Sequence, residues 1–173
     1  YMVNINSSNP PQKLTTSGNC KDPKWSPDGT KIAFESTQDI WYIGIDTSDY
    51  SVGSTINLTN SMAWAQKPSW SWDGSQLAYI SNKMSGDNPG NQVCIISDIT
   101  NPGTVTVLTN NNTPSRPSPK SFPVWSYDDQ IIAFVSDNNF NEDIFIIDIA
   151  RSEEYQITYD SSNDYFHPIW VQP

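Results

Sequence analysis

Apolar and polar positions alternate along this chain in short runs. "KIAFES" (31–36), "DIWYIGID" (39–46), "QLAYIS" (76–81), "QVCIISDI" (92–99), "IIAFVS" (131–136) and "DIFIIDIA" (143–150) are each bounded by Ser, Asp, Asn, Gly or Pro. They are rich in β-branched and aromatic residues, and their length and boundaries predict β-strands. The runs recur in a fixed order. "PKWSPDGTKIAFES" begins at Pro23, "PSWSWDGSQLAYIS" at Pro68 and "PVWSYDDQIIAFVS" at Pro123, and "HPIWVQP" opens a further copy at His167. Aligned on Trp25, Trp70, Trp125 and Trp170, the spacings are 45, 55 and 45 residues. A period in this range marks a repeat architecture.

Each unit divides into four strand-like pieces. The first is Pro-x-Trp-Ser, followed by a tight turn. The alternating run is second and the Ile-rich run third. The fourth is "TINLTN", "VTVLTN" or "YQITYD". Four short strands joined by turn residues make a small antiparallel sheet. Such a sheet cannot bury both faces alone, but sheets stacked radially cover one another, which is a β-propeller. Ala33, Ala78 and Ala133 supply small side chains where tapering sheets crowd. A parallel solenoid is the competing repeat fold; its repeats are shorter.

The phrase Pro-x-Trp-Ser-Pro-Asp-Gly followed by Lys-Ile-Ala-Phe resembles the repeat of the TolB-like propellers. The same blade motif occurs in propellers of prolyl-oligopeptidase-type and tricorn-type peptidases. The first copy carries the phrase intact. Trp72 replaces the Pro in the second; Tyr127 replaces it in the third, where Asp129 also replaces the Gly. The resemblance implies an all-β propeller of four-stranded antiparallel blades, with the Pro-x-Trp-Ser strand innermost. It divides residues 1–173 into outer strands of a closing blade (1–20, "YMVNIN" and "QKLTTS"), blades at 21–66, 67–121 and 122–166, and a last inner strand (167–173). Three arrangements would cover the unpaired strands: closure of this chain on itself, a homodimer, or continuation in a longer ring. An unpaired monomer is not expected, because exposed sheet faces and edges drive association.

Charge and composition narrow the function. Nineteen acidic against nine basic residues leave a net charge of −10, which argues against nucleic acid and anionic membranes. No apolar run is long enough to span a bilayer. Cys20 and Cys94 fall in different repeats and do not make a disulfide framework. With one His and no Gly-x-Ser-x-Gly elbow, the chain offers no hydrolase constellation, and no catalytic residues are assigned.

The candidate site is therefore a binding surface on one propeller rim. The residue before each motif Pro should line the channel mouth: Asp22, Lys67, Phe122 and His167. Trp64 in "SMAWAQK", and Arg116 and Lys120 in the Pro-rich stretch "TPSRPSPKS", are further partner-binding candidates. Asp137, Asn139, Asn141 and Asp143 alternate as calcium-loop ligands do, although Glu142 stands at the turn-glycine position. They form a weak calcium candidate, and no other cofactor is expected. The aspartates of the "DG" and "DD" turns should cap backbone amides. The resemblance implies a non-catalytic protein-interaction module of the periplasm or extracellular space, with a protein partner. The alternative is an accessory or gating propeller of a peptidase-type or carbohydrate-active enzyme.

Overall fold

The computed structural model describes residues 1–5, 8–16, 18–60, 63–82, 90–101, 104–109, 119–137, 141–159 and 167–171. It contains three four-stranded antiparallel sheets, each running in sequence order from its first strand outward. Blade 1 is β1 (Lys21–Trp25), β2 (Lys31–Ser36), β3 (Asp39–Ile45) and β4 (Val52–Asn57). Blade 2 is β5 (Ala65–Trp70), β6 (Leu77–Ser81), β7 (Gln92–Ile96) and β8 (Val105–Val107). Blade 3 is β9 (Lys120–Trp125), β10 (Ile131–Asp137), β11 (Glu142–Asp148) and β12 (Glu153–Gln156). The blades are all-β, as the repeats predict.

The tight turns form as their residues require. Gly29 and Gly74 take φ of 71° and 72°, where a Cβ would be strained. Asp28, Asp73 and Asp128 accept hydrogen bonds from the amides of Thr30, Ser75 and Gln130 at 3.0, 2.9 and 3.2 Å. Ser26, Ser71 and Ser126 donate to the same three carboxylates.

The Thr of each "LT" or "IT" ending explains why the phrase recurs. Thr59 donates its hydroxyl to Asp39, Thr109 to Gln92 and Thr158 to Asp143, at 2.6, 2.8 and 2.8 Å. The same hydroxyls accept from the amides of Ile40, Val93 and Ile144. Each fourth strand thus ends by clipping onto the start of the third. Asp143 belongs to this clip. Gln156 Nε2 also donates to it at 2.9 Å, so both Asp143 oxygens are engaged within the blade. Asn139 lies outside the described residues.

The core lies between blades. Ala33, Ile40 and Leu58 of blade 1 meet Trp70, Leu77, Tyr79 and Ile96 of blade 2. Ala78, Ile80, Val93 and Ile95 on the other face of blade 2 meet Trp125, Ile132, Phe134 and Phe145 of blade 3. Three of the motif Trp residues also stitch to the blade before them. Trp70 Nε1 donates to the Lys24 carbonyl, Trp125 Nε1 to that of Ser69 and Trp170 Nε1 to that of Val124, at 3.0, 3.0 and 3.2 Å. Residues 167–171 sit against blade 3 through this last bond, although they carry no assigned strand. At the other end, Met2 and Gln12 form one antiparallel bridge in place of two full strands. Met2 and Leu14 pack on Ile32, Phe34, Ile43 and Ile45 of blade 1. Cys20 and Cys94 are not joined by a disulfide.

Candidate functional site

The inner strands converge on a channel of 620 Å³, lined along its length by residues of β1, β5, β9 and 167–170, with Pro27 and Trp72 of the following turns. Asp22, Lys67, Phe122 and His167 all line it. A shared backbone feature brings them there. They adopt φ of 47°, 57°, 51° and 55°, the left-handed region that ordinary residues avoid. The inner-strand ladders of all three blades break register at or beside this position. Each is a β-bulge followed by a Pro, and bulges re-aim side chains at functional edges. The proline has no N–H to give to the ladder, which favours an interruption there.

The four side chains touch in sequence. Lys67 Nζ lies 2.8 Å from Asp22 Oδ2 and 5.2 Å from the centre of the Phe122 ring. The Phe122 and His167 rings are centred 3.9 Å apart at 45°. One cation is held between a carboxylate and an aromatic face, and a second ring extends the apolar side.

Beneath them lies Glu35, a position outside the motif Pro and Trp pattern. Its Oε1 accepts the Lys67 amide N–H at 2.8 Å, anchoring the strained bulge of the next blade. Glu35 also hydrogen-bonds to Asp22. Burial works against an ionised Asp22, but hydrogen bonds from Lys67 and Glu35, with the charges of Lys67 and Lys24, outweigh it and lower its pKa. Burial raises the pKa of Glu35; the Lys67 amide opposes this and Asp22 reinforces it. The pair therefore favours a proton on Glu35 and a charge on Asp22. A signal for Glu35 was present in the repeat. Ile80 and Val135, both buried, hold the equivalent positions of the other blades.

The charged groups of the channel, Asp22, Lys24 and Lys67, come from blades 1 and 2, beside Trp25, Trp70 and Trp72 of the same blades; blade 3 and residues 167–170 add Phe122, Val124 and Ile169 with His167.

The remaining candidates separate. Trp64 is 57% exposed, with its backbone tied to Asn82 by bonds of 2.6 and 3.1 Å. Arg116 lies outside the described residues. Lys120 is corrected: only 2% of it is exposed. It opens β9, where its ammonium lies 3.3 Å from Glu154 and 5.4 Å from the centre of the Phe134 ring, between the blades. Burial lowers its pKa against the pull of Glu154. Its stem serves packing, so it is not a surface for a partner. Among the described residues, no group of three or more His, Cys, Asp or Glu could hold a metal ion. No described helix is long and apolar enough to cross a membrane.

Residues 88–171 match the family model of the dipeptidyl peptidase IV N-terminal region. No curated protein sequence matches the chain. Solved structures share its fold. A protein described as a TolB from Agrobacterium tumefaciens superposes with a TM-score of 0.65 at 21% identity, over 82% of this chain and 46% of that one. TolB from Acinetobacter baumannii gives 0.56 at 20% identity, over 83% of this chain and 33% of that one. A puromycin hydrolase gives 0.70 at 14% identity, over 93% of this chain and 25% of that one. The chain thus spans less than half the length of each. At these identities the likeness establishes the fold: β-propeller blades similar to those of TolB and of peptidase propeller domains.

Proposed function

We propose that this propeller acts without catalysis as a protein-interaction module, and that its channel mouth takes an extended segment of a protein partner. The observation that carries this reading is the contact series Asp22–Lys67–Phe122–His167. Four blade-equivalent positions share one strained conformation yet hold four different side chains. The motif Trp, by contrast, is the same in every copy. A largely aromatic channel with its charged groups concentrated in blades 1 and 2 suits a segment that carries both polar and apolar side chains, as the alternation of an extended chain provides. The likeness to TolB leads us to place the module in the periplasm or outside the cell.

An accessory propeller, gating access to the catalytic domain of a peptidase, is the second reading. It is favoured by the match of residues 88–171 to the dipeptidyl peptidase IV N-terminal region. Reading the coding sequence on both sides of this segment separates the two: an adjoining hydrolase domain with its own nucleophile elbow would support the second.

A peptide array probed with the purified chain tests the first. Peptides of alternating polarity should be retained, and Lys67→Glu and Phe122→Ala should each reduce their signal at least tenfold while the fold is kept. Equal signals from wild type and both variants would remove the channel mouth as the site.

A further inference from the structure

The opposite rim holds a feature that the channel-mouth reading does not use. Trp72 and Tyr127 are the residues that replace the motif proline in blades 2 and 3, where blade 1 keeps Pro27. The structure brings the two replacements together, with ring centres 5.0 Å apart at 59°. They are 39% and 56% exposed, so the pair faces solvent. The third departure from the motif holds them in place. Asp129 stands where the first two turns have Gly, at a φ of 56°. Its carboxylate reaches across to blade 2 and accepts the amides of Trp72 and Asp73 at 2.6 and 3.0 Å. A glycine would take this backbone conformation without strain but could not make either bond. All three departures from the repeat thus act on one patch.

The surroundings of the patch are acidic. Asp73 and Asp128 flank the rings, and hydrogen bonds lower the pKa of both, chiefly from the Ser75 amide and the Ser126 hydroxyl respectively. The turns between third and fourth strands lie at the same end, because the Ile45, Ile99 and Ile149 amides bond to the carbonyls of Thr30, Ser75 and Gln130. They add Asp46, Asp98 and Asp148. Among the described residues of this rim the cations are Lys31 and Arg151, and Arg151 is engaged by Asp148. Exposed aromatic faces attract cations, and guanidinium groups stack on them. A negative field around such faces adds steering.

We propose that Trp72 and Tyr127 form a docking point for an arginine-bearing, basic segment of a protein partner, on the rim opposite Lys67. Trp72 also lines the channel, at the end away from Lys67. The guanidinium would lie over the exposed ring faces, with Asp73 and Asp128 supplying charge beside it. Asp129 acts as the positioning residue, fixing the blade 2 turn against blade 3.

Fluorescence anisotropy of a labelled, end-blocked Gly-Arg-Gly-Arg-Gly peptide against the purified chain at low salt reads the site. Saturable binding is expected, weakened at least tenfold by Trp72→Ala, severalfold by Asp129→Gly and little by Trp72→Phe. Lys67→Glu should not weaken it. Asp98→Asn removes one charge from the rim and leaves the rings, so it reports the general field. Thermal melts confirm that each variant is folded. Three outcomes would overturn the proposal: no saturable binding of the Arg peptide, equal binding of the matching Glu peptide, or an Asp98→Asn loss as large as that of Trp72→Ala. The last would mean that acidity alone attracts the peptide.

Discussion

Blades 1 and 2 are written with the same phrase and live in different surroundings. Blade 2 is covered on both faces, and every residue of β6 and β7 is buried. Its Trp70 is 8% exposed and bonded to blade 1. In blade 1 the equivalent Trp25 is 50% exposed, and among the described residues the short bridge of Met2 with Gln12 and the residues beside it lie on the face of Ile32 and Phe34. The difference extends to one polar substitution. Ile80 of blade 2 packs in the core beside Trp125, whereas Glu35 of blade 1 turns to the channel mouth and holds Lys67. A repeat position has no fixed value. Its contribution depends on what stacks against it, and departures from the pattern are tolerated where packing is looser or where a neighbouring blade supplies a partner.

The comparison breaks most visibly at the tryptophans. Trp125→Ala, at a site 1% exposed, should lower unfolding free energy by about 3–5 kcal/mol. Trp25→Ala should lower it by less than about 2 kcal/mol. Urea midpoints on both variants check this, and equal losses would mean that Trp25 is covered in solution. A smaller effect is expected at Glu35. Its folded pKa is raised, so the folded state binds the proton more tightly than the unfolded one. Its contribution is fully present below pH 4.5 and is lost as pH rises through the folded value. Wild type should therefore lose stability relative to Glu35→Gln as pH climbs from about 4 toward 7. Melts across that range read the difference, and a flat difference would mean that Glu35 is not shifted. The smallest effect belongs to Asp28, an exposed turn cap. Hydrogen bonds, first from Ser26 and then from Thr30, lower its pKa from 3.8 to about 2. Its contribution is present above the unfolded value and disappears as pH falls through about 2. Asp28→Asn should differ slightly from wild type at pH 6 and converge with it near the acid end.

Much of this was legible in the chain. Strand identity, the blade repeat and the capping role of Asp28, Asp73 and Asp128 follow from local alternation and turn chemistry, while the inner position of the motif Trp follows from the resemblance to the TolB-like repeat. The positions of Asp22, Lys67, Phe122 and His167 in the channel followed from the repeat. Other features were hidden for identifiable reasons. Lys120 reads as part of a polar loop, yet it opens a strand, and its ammonium finds Glu154, 34 residues later, across the sheet face. Asp143 reads as a possible cation ligand because its partner, Thr158, is 15 residues away, just past the end of the next strand. Trp72, Tyr127 and Asp129 read as drift from a motif, and their meeting required two blades to be side by side.

By itself the sequence determined that this protein consists of four-stranded blades repeating about a common axis. Period, alternation and turn residues act over a few positions, and each blade repeats them independently. Only the tertiary structure decided which side chains meet. The contacts of Lys67 with Asp22, of Phe122 with His167, and of Asp129 with the Trp72 turn all span 45 to 57 residues of chain. No local rule reaches that far. They exist because radial stacking places equivalent positions of neighbouring blades side by side, so that a difference between two repeats becomes a contact between two side chains.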